Sequence, residues 1–213
     1  MGRYKDGING PFSGKVGQVI GSSCRGITYL RSMPNKSKKR ATQAQKNQRL
    51  KLAIVSGWLR PVLHLINIGY RAQISEKTAM NSAVSHHMKQ VLTGIGPNYG
   101  LDFSKAIFSR GELLVSFVKE VVVLVDQVLH VKWENGPESA FCAETDLVTF
   151  ILYNSEKEEF VTYENAVLRF AKEVDLKMPK NFAGDAVHAW MHLTDALGDK
   201  VSTSVYLGLV PLL

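Results

Sequence analysis

Eight basic residues fall between Arg31 and Lys51 (Arg31, Lys36, Lys38, Lys39, Arg40, Lys46, Arg49 and Lys51), with no Asp or Glu among them. Cations at that density neutralise phosphates without reading bases, or they meet an acidic face on a protein. The charge of the whole chain is split the same way. Residues 1–75 carry 14 Lys/Arg against the single acid Asp6, a net of +13. Residues 76–213 carry 12 against 18, a net of −6, and the two parts return the overall +7. The split predicts a segment that binds a polyanion or an acidic partner, and composition leaves these open beside a basic face that is only solvated.

A second group is His188, Trp190 and His192, which alternate along a predicted strand. Three residues at that spacing share one face, and the two His lie about 13 Å apart, too far to hold one metal. Val187, Ala189, Met191 and Leu193 take the opposite, core-facing side. The His–Trp–His face is therefore expected outward or in a contact, as a candidate interface. Catalytic chemistry is less legible. Glu158-Glu159 reads as a solvated turn rather than an acid and base, and no nucleophile motif accompanies the histidines. GKVGQVIG lacks the Lys-Ser/Thr ending of a phosphate loop, and its glycines lie inside a strand pattern where they mark bulges or a close backbone neighbour. His86 and His87 point to different sides of a helix. The expectation is a protein that is not an enzyme and uses no cofactor and no metal.

These residues are positioned by an N-terminal β region, helices and a run of strands. Phe12–Arg31 reads as a β-hairpin, with turn chemistry at Ser22, Ser23 and Gly26 and a return strand at Ile27–Leu30. Thr42 is a plausible N-cap for a helix reaching Arg60, where Pro61 stops or kinks it. Leu50, Ile54 and Trp58, widened by Leu52, Val55 and Leu59, would bury most of that helix and leave a basic edge of Lys46, Arg49 and Arg60. Val62–Ile68 continues as a second helical piece. Glu76–Leu92 is a third, whose Met80, Val84, Met88 and Leu92 stripe is core rather than a ligand box. Thr93–Gly100 is dense in Gly, Pro and Asn and reads as a loop. Strands follow at Phe103–Phe108, Val121–Val125, Val128–Trp133, Leu147–Tyr153, Phe160–Tyr163, Glu173–Lys177, Ala186–Leu193 and Val201–Gly208.

Residues from Val121 to Leu209 resemble a fibronectin type III or immunoglobulin-like sandwich, through LHVKW, FILYN, VDLKMP and the final pair VHAWMHLTDALGDKVSTSVYLG. No Cys pair stands where antibody domains have one, so type III is the nearer likeness. Nearly the whole chain resembles an uncharacterised family of bacterial proteins, one of the domain-of-unknown-function families. The matching words are SGKVGQVIG (Ser13 to Gly21), TYLRSMP (Thr28 to Pro34), TQAQKNQR (Thr42 to Arg49), SRGEL (Ser109 to Leu113) and KVSTSVYLG (Lys200 to Gly208). That family shows a Trp where this chain has Cys24, and the resemblance implies no activity. The basic loop followed by T-x-x-Q-x-x-x-R is also similar to some phage-derived virion proteins, which implies an assembly role.

The expected architecture is α+β: residues 1–100 a basic β-hairpin plus helices, and residues 101–213 an antiparallel β-sandwich. Two cysteines, Cys24 and Cys142, are expected as free thiols in a reducing compartment. MGRYKDGING has no apolar leader core, Asp6 replaces the Ser/Thr of a myristoylation signal, and Leu52–Gly69 is too interrupted to span a membrane. A cytoplasmic location is expected, or a virion-like assembly if the chain is phage-derived. Functionally the sequence predicts a non-enzymatic structural or interaction protein, a homo-oligomer or part of a protein assembly. The alternative is a sequence-nonspecific nucleic-acid-associated protein. In either case Arg31, Lys36, Lys38, Lys39, Arg40, Lys46, Arg49 and Arg60 make the contact.

Overall fold

The computed structural model describes residues 3–4, 10–24, 26–35, 39–73 and 77–212. The chain forms two compact units, residues 1–42 and 43–213. In the first, β1 (Arg3–Tyr4), β2 (Phe12–Val16), β3 (Val19–Cys24) and β4 (Ile27–Ser32) make an antiparallel meander in chain order. The single expected hairpin is thus a longer meander, with the expected turn at Gly26 and return strand from Ile27 in place and a further turn at Gly17-Gln18. Val16 pairs with Val19 across Gly17-Gln18, and Gly17 supplies the positive φ of +59° that a two-residue turn requires. Ser22 and Ser23, expected in a turn, lie within β3, and Cys24 pairs with Ile27 across the next two residues. Gly21 does have the close backbone neighbour its position suggested: a Cβ there would run into the carbonyl and ring of Phe12.

In the second unit, α1 (Gln43–Leu59) and α2 (Leu63–Gly69) are bent by 89° at the break that holds Pro61. Among the described residues no single helix is long and apolar enough to cross a membrane. The helix α3 (Ala79–Gln90) starts at Thr78, whose hydroxyl accepts from the Asn81 N–H at 3.2 Å. Then β5 (Leu92–Ile95) and β6 (Asn98–Leu101) pair as a hairpin. The Gly-rich stretch expected as a loop is mostly strand, because only Gly96 and the cis-linked Pro97 are needed to turn the chain. The strand expected at Phe103–Phe108 begins instead as a 3-10 turn, Phe103–Lys105, capped by Asp102, whose carboxylate accepts from the Ser104 N–H at 3.2 Å.

The remaining strands are β7 (Phe117–Leu124), β8 (Val128–Glu134), β9 (Leu147–Asn154), β10 (Glu159–Leu168), β11 (Glu173–Lys177), β12 (Ala186–Thr194) and β13 (Val205–Pro211). They form a four-stranded antiparallel sheet ordered β10-β9-β12-β13 and a three-stranded one ordered β11-β8-β7. The fold is α+β. Leu129, Val131 and Trp133 of β8 share one buried core with Val148, Phe150 and Leu152 of β9 and with Val187, Ala189, Met191 and Leu193 of β12. The other face of the four-stranded sheet is also covered. There Ile151, Tyr153 and Trp190 pack with Val55, Trp58 and Leu59 of α1, Leu65 and Ile66 of α2, and Ala79 and Ala83 of α3. The units accordingly divide between Thr42 and Gln43, not between residues 100 and 101. A sheet with apolar residues on both faces needs a layer on each side, and the helices are the second layer.

The helix α1 is less buried than expected. Only Val55, Trp58 and Leu59 are buried, while Leu50 and Leu52 are exposed. The contact stripe runs through Asn47, Lys51, Ile54, Val55, Trp58 and Leu59, a spacing of i, i+4, i+7, i+8, i+11 and i+12 that tracks one helix face. Leu50 and Leu52 fall to either side of it.

Candidate interaction surface

The N-terminal meander is built almost without an interior. Among the described residues of 1–42, Gly21 alone is buried. Every residue of β4 is exposed, Ile27 and Leu30 at 71% and 64%. The pairing Lys15–Ile20–Arg31 and Ser22–Tyr29 across β2, β3 and β4 puts Lys15, Ile20, Cys24, Ile27, Tyr29 and Arg31 on one face. The other carries Phe12, Val16, Val19 and Leu30 around Gly14 and Gly21. Val16, Val19, Tyr29 and Met33 are exposed as well. Each face therefore presents apolar side chains to solvent, and the first sets two cations beside them. The strand β4 also ends its sheet, so among the described residues one of its edges is unpaired.

Arg31 lies on that face, and Lys39 and Arg40 follow in exposed, irregular backbone. Lys36 and Lys38 lie outside the described residues. Lys46 and Arg49 project from the exposed side of α1, and Arg60 is exposed just past its end. Arg31, Arg40, Lys46, Arg49 and Arg60 form no ion pair among the described residues. Lys51 behaves differently: it is half-buried, with Nζ 5.1 Å from the centre of the Tyr99 ring, so its charge is spent on that ring.

The His–Trp–His face does not point outward. Trp190 is fully buried and His192 is 1% exposed, because β12 is a central strand covered by the helices on this side. Trp190 packs against Phe108 at 5.0 Å and Tyr206 at 5.4 Å between ring centres. His188 is half-buried and hydrogen-bonds through Nδ1 to the Tyr206 hydroxyl at 2.7 Å. Burial lowers the pKa of His188 and carries that of His192 down to about 4. The Nδ1 of His192 has no hydrogen-bond partner. Trp190 and His192 are thus interior and His188 only half-buried, so this face is not the outward interface expected.

Two buried polar features lie apart from the basic segment and the His–Trp–His strand. His87 sits inside the helix–sheet core, 5.6 Å from the Trp58 ring. It reaches the Ala83 carbonyl through Nδ1 at 2.8 Å, and desolvation lowers its pKa to about 4. Its signal was the i, i+4 line Ala79, Ala83, His87, whose small residues let the helix approach the sheet. The second feature is a buried ion pair between Arg169 and Asp146, with Nη1 to Oδ2 at 2.7 Å. Arg169 also donates through Nε to Ser116 Oγ at 3.2 Å and through Nη2 to the Leu114 carbonyl. Its own carbonyl accepts from Trp133 Nε1 at 3.2 Å and Asn135 Nδ2 at 3.0 Å. Nothing in local spacing announces a pair 23 residues apart.

A groove of about 500 Å³ is lined by Val115–Val121, the entry and first half of β7, and by Val205–Leu207 of β13. Cys24 is exposed and Cys142 buried, both free. No group of three or more His, Cys, Asp or Glu among the described residues is placed to hold a metal. A family model described as "Family of unknown function (DUF6266)" matches residues 11–208, and the chain belongs to that family. No curated protein and no solved structure matches it.

Proposed function

We propose that this DUF6266 member is a non-enzymatic interaction protein that builds an assembly of copies of itself through its basic N-terminal meander. One observation carries the reading: the meander exposes Val16, Val19, Ile27, Tyr29, Leu30 and Met33 and buries no side chain among its described residues. A small sheet without a covered apolar face is not stable alone in water. Covering Ile27 and Leu30 is worth about 1.5–3 kcal/mol each, and a partner surface is the natural source. Residues 1–42 hold nine Lys/Arg against Asp6, a net of +8, so the partner surface carries acids. The second unit supplies them in a rigid scaffold. Its strand order, with β7, β8 and β11 facing β9, β10, β12 and β13, supports the finer reading of a fibronectin type III-like module, a type used for assembly as well as adhesion. Fold alone assigns no function.

The exposed cations Arg31, Arg40, Lys46, Arg49 and Arg60, none in an ion pair among the described residues, favour a second reading, contact with nucleic-acid phosphates. Light scattering after gel filtration separates the two. The first predicts a mass that rises above the monomer with concentration and an absorbance ratio unaffected by added nucleic acid. A monomer at every concentration overturns it. Co-elution with DNA or RNA at about 50 mM salt, lost at about 200 mM, transfers the basic segment to the second reading.

A further inference from the structure

We infer that β4 of one copy adds as an extra antiparallel strand to the open edge of β7 in a second copy, in the register Ile27·Leu124, Tyr29·Val122 and Arg31·Glu120. The inference rests on the self-association just proposed and names the two surfaces and their alignment.

Two-residue turns fix Val16–Val19 and Cys24–Ile27 as hydrogen-bonded pairs, and such pairs recur at every second residue. Ile27, Tyr29 and Arg31 then bond to β3, while Thr28, Leu30 and Ser32 turn their N–H and C=O to the open edge. In the other sheet Trp133 donates its N–H to the Lys172 carbonyl at 2.8 Å, on the side of β11. Lys132, His130 and Val128 therefore bond toward β7, where their partners are Glu120, Val122 and Leu124. Val121 and Val123 are left turning their polar groups outward. Only a register of odd offset brings Leu30 opposite Val121 and Thr28 opposite Val123 as hydrogen-bonded pairs, and the one stated does so.

The side chains agree with that register. On the outward face of β7, Val122 and Leu124 are exposed beside Glu120, and Glu120 forms no ion pair among the described residues. On the matching face of β4 come Tyr29, Ile27 and Arg31. Apolar residues meet apolar ones, and the cation meets the free carboxylate, the combination that stabilises cross-strand neighbours. On the inner face Leu30 would extend the half-buried row of Val121 and Val123 at the sandwich core. Glu120 and Val121 also line the groove that runs back toward Val115 between β7 and β13.

Charge and edge geometry select the occupant. Pairing two meanders edge to edge would bring two segments of net +8 together, whereas β7 offers Glu120. The free edges of β11, β10 and β13 are guarded. Glu173, Asp175 and Lys177 line the outer face of β11, and bulges interrupt β10 between Tyr163 and Val167 and β13 opposite Ala189–Trp190. From Glu120 to Leu124 β7 is regular. Joining unlike surfaces makes the contact head-to-tail, which closes into rings or runs on as filaments.

The test uses full-length chains in a Cys24→Ser background. A Tyr29→Cys chain mixed with a Val122→Cys chain is expected to form a disulfide-linked dimer under mild oxidation. The yield should be roughly tenfold above that of Tyr29→Cys mixed with Leu124→Cys, whose sulfurs would sit one diagonal apart. Independently, Arg31→Glu and Glu120→Arg chains should each associate several-fold more weakly than the parent, and their equimolar mixture should recover the parent affinity. A parent that associates while neither arm responds overturns this contact and leaves the self-association intact. A parent that stays monomeric overturns both. Concentration-independent cross-linking within a chain carrying both cysteines assigns β4 to its own β7 and overturns the second copy as occupant.

Discussion

Arg169 and Asp146 meet as a buried ion pair, with 2.7 Å between Nη1 and Oδ2 and both side chains shielded from water. A charge pair in that position is tolerated because its remaining valences are filled. Asp146 also accepts from the Ala143 N–H at 3.1 Å, and Arg169 from its own N–H reaches the Asp146 carbonyl at 2.7 Å. The pair thus ties the segment before β9 to the segment after β10, and through Ser116 and Leu114 to the entry of β7. It anchors the backbone that leads into β7, the outer strand of its sheet.

Removing one partner leaves the other buried and uncompensated. Asp146→Ala is expected to destabilise the second unit by roughly 3–5 kcal/mol in urea unfolding, and Arg169→Met combined with Asp146→Leu by much less. Equal losses for the single and double variants would show that the network around the pair, not the unpaired charge, sets the cost.

Acid should loosen the helix–sheet core. His87 and His192 ionise near pH 4 in the native state and near 6.5 when unfolded. Above pH 6.5 both are neutral in both states and stability is complete. From 6.5 down to about 4 the unfolded chain binds protons that the native chain refuses, so each His removes up to about 1.4 kcal/mol per pH unit, roughly 3 kcal/mol in all. Urea midpoints measured across pH 4–7 should fall, and His87→Gln should flatten the slope relative to the parent. An unchanged slope contradicts the buried neutral state.

Trp190→Ala is expected to cost about 3–5 kcal/mol, since it empties the contact with Phe108, Trp58 and Tyr206. A thermal melt unaffected by this change would return Trp190 to the surface. Oligomer mass, measured where the variant remains folded, should not move.

Why the sequence was informative for some elements and not others follows from what each residue touches. Strands β8, β11 and β12 were legible because inward and outward residues alternate, as in Leu129, Val131 and Trp133 against His130 and Lys132. The same logic failed for His188, Trp190 and His192, since alternation identifies two faces and cannot tell solvent from a covering helix. The stretch around Gly96-Pro97 was misread because turn-forming residues flank strands as well as loops. The basic segment was legible as charge, whereas the near absence of buried residues among the described part of the meander emerged only from its pairing. The Arg169–Asp146 pair depends on a contact distant in sequence, which no local pattern encodes.

The meander's apolar face has a separable role. Ile27→Ser with Leu30→Ser should lower the oligomer mass while leaving the urea midpoint of the second unit unchanged, because these side chains are exposed and belong to the other compact unit. Unaltered association would remove the meander from the contact.

Amide hydrogen exchange read against protein concentration addresses the central claim most directly. The account predicts that protection of β4 amides, Thr28 and Leu30 above all, rises with concentration in step with oligomer mass, while β9 and β12 stay protected throughout. Rapid exchange along β4 at every concentration, in a protein whose mass increases all the same, would contradict it.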